Sequence, residues 1–180
     1  MTQTFYQKAM KFAGEKHFNQ KVPGTRSNYL LHISNVAMEV LMAYNAEKNF
    51  DINFAIQVAI LHDTIEDTTA DFAEVKNEFS EKIATAVQAL TKNEELPSKE
   101  EQMMDSLNRI NQLPKEVGLV KLADRITNLQ APPGYWDKQK IIKYHAEAKL
   151  IAKTLAGKNE YLNDRLERKI AEYQVYLGDI

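Results

Sequence analysis

The chain has 180 residues, a length that suits one domain with its own hydrophobic core. Hydrophobic residues make up 44% and charged residues 27%, which excludes a disordered chain, and the net charge of -2 leaves no broad basic surface for a nucleic-acid polymer. There is no cysteine, which excludes disulfides and thiolate metal sites, so a metal must be bound by His, Asp or Glu.

Apolar residues recur at helical spacing along the chain, and the alternation typical of strands is missing. We therefore predict an all-α fold, a single helical bundle of about eight to ten helices spanning residues 1–180. Six predicted helices have approximate bounds, residues 3–17, 29–45, 71–79, 80–91, 137–156 and 160–177. Three more are identified by their starts: one after residue 45 that Asp51 or Asn53 caps, a charged helix that begins at Ser98, and a helix with Pro114 in its first turn.

The beginning of the chain, MTQTFYQKAM, lacks the apolar core of a secretion signal. No apolar run is long enough to cross a bilayer. We therefore expect a cytoplasmic protein without a membrane partner, and the sequence leaves open whether it forms a homo-oligomer.

The most informative segment is LHDTIEDT, residues 61–68, which follows an apolar run that predicts a buried helix. Glu66 lies four residues after His62, and Asp67 four after Asp63, so on a helix each pair shares a face. Four titratable groups at the end of an apolar helix are costly to bury unless a metal or other partners satisfy them. Taken alone, the cluster also fits solvated carboxylates beside a hydrogen-bonded histidine.

Two further segments carry candidate ligands. In VKLADRITN, residues 120–128, apolar neighbours predict a packed helix with Lys121, Asp124 and Asn128 on one face. Internal Lys121–Asp124 or Asp124–Asn128 pairs would explain that face equally well. His32 lies early in an apolar helix, where a lone histidine is more often structural than a ligand.

Together the three segments supply two histidines and two aspartates, a nitrogen and oxygen ligand set. The predicted ligands are His32, His62, Asp63 and Asp124. Such a set suits an octahedral divalent ion with open positions, Mn²⁺ or Fe²⁺ rather than closed zinc, with Mg²⁺ or Co²⁺ as further options. The ion would activate a water and polarise a phosphoryl oxygen. Glu66 and Asp67 would orient and deprotonate that water, or protonate the leaving oxygen.

The order of His32, His62-Asp63 and Asp124 resembles the H…HD…D signature of the HD superfamily of phosphohydrolases. More closely, HDTIEDT and VKLADRITNL are similar to two segments of the hydrolase domain of RelA/SpoT-type alarmone enzymes and their small single-domain relatives. The likeness runs from about Ala9 to Leu155. It implies a manganese-dependent 3′-pyrophosphohydrolase that converts (p)ppGpp to GDP or GTP and pyrophosphate.

The resemblance also implies roles for individual residues. It assigns the four ligands named above and makes Glu66 and Asp67 the water-activating pair. The substrate contacts that it implies are Asn128 at the ribose, Lys121 at the substrate or at a carboxylate, Lys140 at a phosphate and Tyr144 at the ribose.

The loop before His32 departs from the family's pattern. The family usually carries an Arg-Lys pair after its His-x-x-Gln stretch, whereas HFNQ at residues 17–20 is followed here by KVP. The arginine that would bracket the guanine base is missing, with Lys21 the nearest cation and Arg26 a substitute from another loop position. Because Lys and Arg are not equivalent for stacking on a base, the preferred nucleotide and the product, pyrophosphate or phosphate, stay open.

Three functions follow from these residues. The first is alarmone hydrolysis, with guanosine 3′,5′-bis(diphosphate) as the small anionic nucleotide substrate. The second is hydrolysis of another nucleotide or deoxynucleotide, which the altered loop motivates. The third is a catalytically silent nucleotide-binding protein, against which the intact Glu66 and Asp67 argue.

Other features receive structural interpretations. We expect His17 to be a buried group or loop anchor and His145 to be solvated on a surface helix. We expect Trp136 at the edge of the core rather than in a lid, and the charged stretch from Lys92 to Asp105 in solvent.

Overall fold

A computed structural model gives the positions of residues 1–178, in which ten α-helices and one 3-10 helix supply the regular structure. The α-helices are α1 Thr2–Lys16, α2 Leu30–Ala46, α3 Ile52–Leu61, α4 Thr64–Asp67, α5 Phe72–Glu78, α6 Glu81–Leu90, α7 Lys99–Asn111, α8 Lys115–Asn128, α9 Lys138–Thr154 and α10 Glu160–Tyr173, and the 3-10 helix Gln174–Leu177 follows. The part of the chain so described contains one isolated antiparallel bridge, Lys21 to Asn28, and no strand. The predicted all-α fold is confirmed.

Side-chain caps set most helix starts. The Asp51 carboxylate accepts the backbone N–H groups of Asn53 and Phe54, so Asp51, rather than Asn53, caps α3. Ser80 caps α6, and Ser98 caps α7 as predicted. Each such cap satisfies a backbone donor that the helix leaves free and contributes about 1 kcal/mol.

Helices α3 and α8 form the centre of the bundle. Helix α3 is buried almost all round and packs against α1, α2, α6 and α8. Helix α8 packs against α2, α3, α9 and α10 and is buried along most of its length. Because Asp124 lies on α8, and His62 and Asp63 follow directly after α3, these two enclosed helices fix the positions of three candidate ligands, and α2, which packs against both, carries His32.

The chain breaks its helix at the candidate site, which differs from the expected single helix through residues 61–68. Helix α3 ends at Leu61, His62 and Asp63 form a turn, and α4 begins at Thr64. The His62 imidazole Nδ1 donates to the Ala59 carbonyl at 2.8 Å, taking an acceptor at the end of α3. The side chain of Glu66 therefore does not stack under His62 on one continuous helix.

Within residues 1–178, none of the helices combines the length and the apolar character needed to cross a membrane.

Candidate metal centre

Four side chains from three parts of the bundle converge on one point. His32 lies in the first turn of α2, His62 and Asp63 in the turn after α3, and Asp124 in α8. His62 Nε2 is 3.2 Å from His32 Nε2 and 2.8 Å from Asp63 Oδ2. Asp124 Oδ1 is 3.5 Å from His32 Nε2 and 3.7 Å from His62 Nε2. The structure thus brings His32, His62 and Asp124 within 4.8 Å of one another, and Asp63 joins them through its contacts with both histidines.

The hydrogen bonding of His62 suits a cation at that point. Its Nδ1 donates to the Ala59 carbonyl, which leaves Nε2 to face His32 Nε2, and both Nε2 atoms face carboxylate oxygens. Without a cation, burial would lower the pKa of His62, but Asp63 and Asp124 outweigh burial and raise that pKa, so its Nε2 carries a proton that a bound metal would displace. A divalent cation bound between the two imidazole nitrogens and the carboxylate oxygens would have all of these atoms as ligands. This set of nitrogen and oxygen atoms therefore fits a metal.

Both aspartates are held in the ionised form that a cation requires. Burial by itself would raise the pKa of Asp63, but His62 and His32 outweigh it and hold that pKa well below its usual range. For Asp124, burial is likewise outweighed by Lys121 and His62, which lower its pKa.

Tyr29 is a neighbour of the site that the sequence analysis missed. Its hydroxyl donates to Asp63 Oδ2 at 2.5 Å, and its ring stacks on His17 with centroids 5.1 Å apart. Burial and the charge of Asp63 raise the Tyr29 pKa, which keeps the phenol protonated as a donor. His17 is buried and bonded through Nδ1 to Gln20, so it anchors this loop. The position of Tyr29 three residues before His32, within one helical turn, was the available signal.

The two predicted catalytic carboxylates have different partners. Both carboxylate oxygens of Glu66 are bound by Lys92, one to its backbone N–H at 2.9 Å and one to its ammonium at 2.5 Å. Asp67 is exposed and accepts one hydrogen bond, from Gln20 Nε2 at 2.9 Å. Although the residue as a whole is exposed, its carboxylate is partly desolvated by neighbouring atoms, and this, followed by the charge of Asp63, raises the Asp67 pKa.

The predicted polar face of α8 is present, and it surrounds Asp124. Asn128 Nδ2 donates to Asp124 Oδ1 at 2.6 Å, and the Lys121 ammonium lies 3.1 Å from Asp124 Oδ2. Both internal pairs that the sequence offered as alternatives are therefore formed. Lys121 and Asn128 orient Asp124, and Asn128 also faces a cavity.

A cavity of about 280 Å³ opens beside His32. Its wall includes the predicted contacts Asn128 and Tyr144 together with Trp136. The Tyr144 ring is held between Trp136, 5.1 Å away in an edge-on contact, and the Arg125 guanidinium, 4.3 Å away. Trp136 thus lies on the cavity wall and does more than cover the edge of the core.

The three remaining predicted cations lie outside the lining of this cavity. Lys140 Nζ lies 4.4 Å from the centre of the Trp136 ring, at the margin of the cavity. Lys21 and Arg26 are exposed on the loop between α1 and α2. Their contact with a substrate stays a prediction.

The expectation that His145 is solvated was wrong, and the expectation for the stretch from Lys92 to Asp105, most of which is exposed or partly exposed, failed at Lys92. Lys92 is half-buried and binds Glu66, because the turn after α6 packs against α4. His145 is buried on α9 and bonded through Nε2 to the Ile170 carbonyl at 3.1 Å, because α10 covers that face.

A family model described as HD domain matches residues 9–160. The chain belongs to the HD domain family. The match spans all four candidate ligands, and the resemblance drawn from the HD pair and the later aspartate is confirmed.

Several known proteins resemble this HD domain. The guanosine-3′,5′-bis(diphosphate) 3′-pyrophosphohydrolase MESH1 of Danio rerio is 32% identical over 173 residues, 93% of each chain. The guanosine-3′,5′-bis(diphosphate) 3′-pyrophosphohydrolase of Aquifex aeolicus is 36% identical over 126 residues, 69% of this chain and 17% of that longer protein. A solved structure of a metazoan ortholog of SpoT that hydrolyses ppGpp shares the fold, with a TM-score of 0.80, 24% identity and coverage of 93% of this chain and 94% of that one.

Proposed function

We propose that this HD domain is a manganese-dependent pyrophosphohydrolase that removes the 3′-diphosphate of guanosine 3′,5′-bis(diphosphate) and its pentaphosphate analogue. The observation that carries the proposal is the convergence of His32, His62 and Asp124, joined by Asp63, next to a nucleoside-sized cavity, with Glu66 and Asp67 in the helical turn that follows Asp63. The names of relatives that align over nearly the whole chain support this substrate.

The four ligands would hold one divalent ion, which would lower the pKa of a water and polarise a phosphoryl oxygen. Asp67 accepts the proton of the attacking water, because its raised pKa and its exposed position suit proton transfer. Glu66, with both carboxylate oxygens already bound, orients the water. Attack on the phosphorus breaks its bond to the ribose 3′ oxygen, which takes a proton, and pyrophosphate and GDP leave.

The cavity beside His32 would hold the nucleoside. Asn128 and Tyr144 contact the ribose, and Trp136 offers an aromatic wall to the base. Lys140, at the margin of that wall, neutralises a phosphate, as Lys21 and Arg26 do if their loop folds over the bound nucleotide.

A second candidate is hydrolysis of another nucleotide or deoxynucleotide at the same centre. The observation that favours it is the exposed loop of Lys21 and Arg26, which brings no arginine to the cavity wall to bracket a guanine. The two candidates share the metal chemistry and differ in the base and in the product.

Product analysis tests the proposal. Purified protein is incubated with ppGpp in EDTA, and then with Mn²⁺, Fe²⁺, Mg²⁺ or Co²⁺, and the products are separated by anion exchange. We expect GDP and pyrophosphate in equal amounts with Mn²⁺ and none in EDTA. Release of orthophosphate, or faster turnover of another nucleotide in a panel, would favour the second candidate. Tight binding of ppGpp without turnover in any metal would contradict both.

A further inference from the structure

Glu66 is held by one residue through two different groups. The backbone N–H of Lys92 bonds one carboxylate oxygen at 2.9 Å and its side-chain ammonium bonds the other at 2.5 Å. Lys92 is the second residue after α6, and Glu66 lies in the four-residue α4, which begins directly after Asp63. The contact thus joins the helical turn that follows the candidate ligands to the segment after α6.

The backbone of Lys92 is fixed in turn by Arg109 of α7. Its guanidinium Nη2 donates to the Thr91 carbonyl at 2.8 Å and its Nη1 to the Gln88 carbonyl, while Asp105 accepts from its Nε at 2.8 Å. These carbonyls lie at the end of α6, where a helix leaves acceptors free and favours a positive charge. Arg109 therefore holds the peptide group between Thr91 and Lys92, and the N–H of that peptide group binds Glu66.

Glu66 has room to leave its position. A cavity of about 470 Å³ lies beside it, bounded by Glu66, Lys92, Gln88, Asp105 and Arg109 among others. Helix α4 is a single turn and cannot hold a long side chain by itself. Without Lys92, the carboxylate would be free to rotate into that cavity.

The ammonium remains charged in this setting. Burial would lower the Lys92 pKa, but Glu66, and beyond it Asp63 and Asp124, outweigh burial and raise it. A partly exposed ion pair of this kind contributes at most about 1 kcal/mol to folding, so stability is a weak reason for it.

We infer that Lys92 is a positioning residue, which holds the Glu66 carboxylate toward the metal centre so that it can orient the attacking water. This role rests on the proposed function. Lys92 would then assist catalysis, although it belongs to a charged stretch that the sequence analysis expected to be exposed to solvent.

The kinetic test compares K92M, which removes the ammonium and keeps the backbone N–H, with K92R, which keeps the charge. We expect K92M to lower kcat about tenfold with KM for ppGpp and affinity for Mn²⁺ unchanged, since misplaced catalytic groups cost about this much or more. K92R should recover most of that loss. The matched control is K76M, which breaks the exposed Lys76–Glu81 pair, 3.0 Å long, and should leave kcat unchanged.

A second readout does not depend on activity. Hydrogen exchange of the Lys92 amide in the metal-free protein should be about tenfold faster in E66A than in the wild type, because the amide loses its acceptor. Unchanged exchange, or wild-type kcat in K92M, would overturn the inference. If K92M fails to fold, K92R and the E66A exchange decide it. An inactive wild-type protein would instead refute the proposed function, and the positioning role with it.

Discussion

Tyr29 donates its phenolic hydrogen to Asp63 Oδ2 across 2.5 Å, so the residue before α2 holds a carboxylate of the turn after α3. The same ring lies 5.1 Å from the His32 ring and 5.1 Å from His17. A donor in this position orients a carboxylate toward a cation without contacting the cation, and such outer contacts tune metal affinity strongly.

The Y29F variant removes that donor and keeps the ring. We expect its affinity for Mn²⁺ to fall about tenfold with the helical content unchanged, because Asp63 loses its orienting contact. Isothermal titration with Mn²⁺ measures the affinity, and Y161F, which alters a distant half-buried tyrosine, is the control. Equal affinities in Y29F and the wild type would show that Asp63 is oriented by other contacts.

Alanine at Asp63 and at Glu66 should separate binding from catalysis. D63A removes a proposed ligand and should abolish both turnover and metal binding. E66A should lower turnover by about a hundredfold or more and leave metal affinity largely intact, since it removes a group that acts on the water. Turnover is measured with ppGpp, and affinity by titration. An equal loss of metal in both variants would contradict this division of roles.

Metal binding should stabilise the fold. An ion that binds only the folded chain adds about 2.7 kcal/mol at a concentration one hundred times its Kd. For a domain of this length, that raises Tm by about 5–10 °C. Differential scanning calorimetry in EDTA and then in Mn²⁺ measures the shift. D63A should show almost none, and a shift as large as that of the wild type would place the ion elsewhere.

The helices were predictable because their start signals are local. Ser80 and Ser98 begin helices where the sequence places them, and the pattern of apolar residues that marked α3 and α8 as buried corresponds to the two central helices. The convergence of His32 with the HD pair was expected from a resemblance, since no local rule brings residues thirty positions apart together.

The surroundings of the site were not predictable in the same way. Helix α3 stops before His62 because the imidazole takes a backbone acceptor, a competition that periodicity does not register. Likewise, the contact of Glu66 with Lys92 depends on how α4 packs against the turn after α6, which is a tertiary effect. A charged stretch such as residues 92–105 predicts solvent exposure on average, and Lys92 is an exception.

His145 should make stability depend on pH near neutrality. Its Nε2 donates to the Ile170 carbonyl, its ring stacks on Tyr173, and burial, together with Lys149, lowers its pKa below the usual value of about 6.5. Because the folded state binds a proton less readily than the unfolded state, the stability due to His145 is complete above that value and is lost as pH falls below it.

The H145Q variant can donate to the same carbonyl without titrating, so it isolates this effect. Chemical unfolding of the metal-free proteins between pH 5 and pH 7.5 should give a steeper fall in stability toward acid for the wild type. One proton bounds the difference in slope at about 1.4 kcal/mol per pH unit. Burial also lowers the pKa of His17, which remains in both proteins and cancels in the comparison. Parallel curves would mean that His145 is protonated equally easily in the folded and unfolded chains.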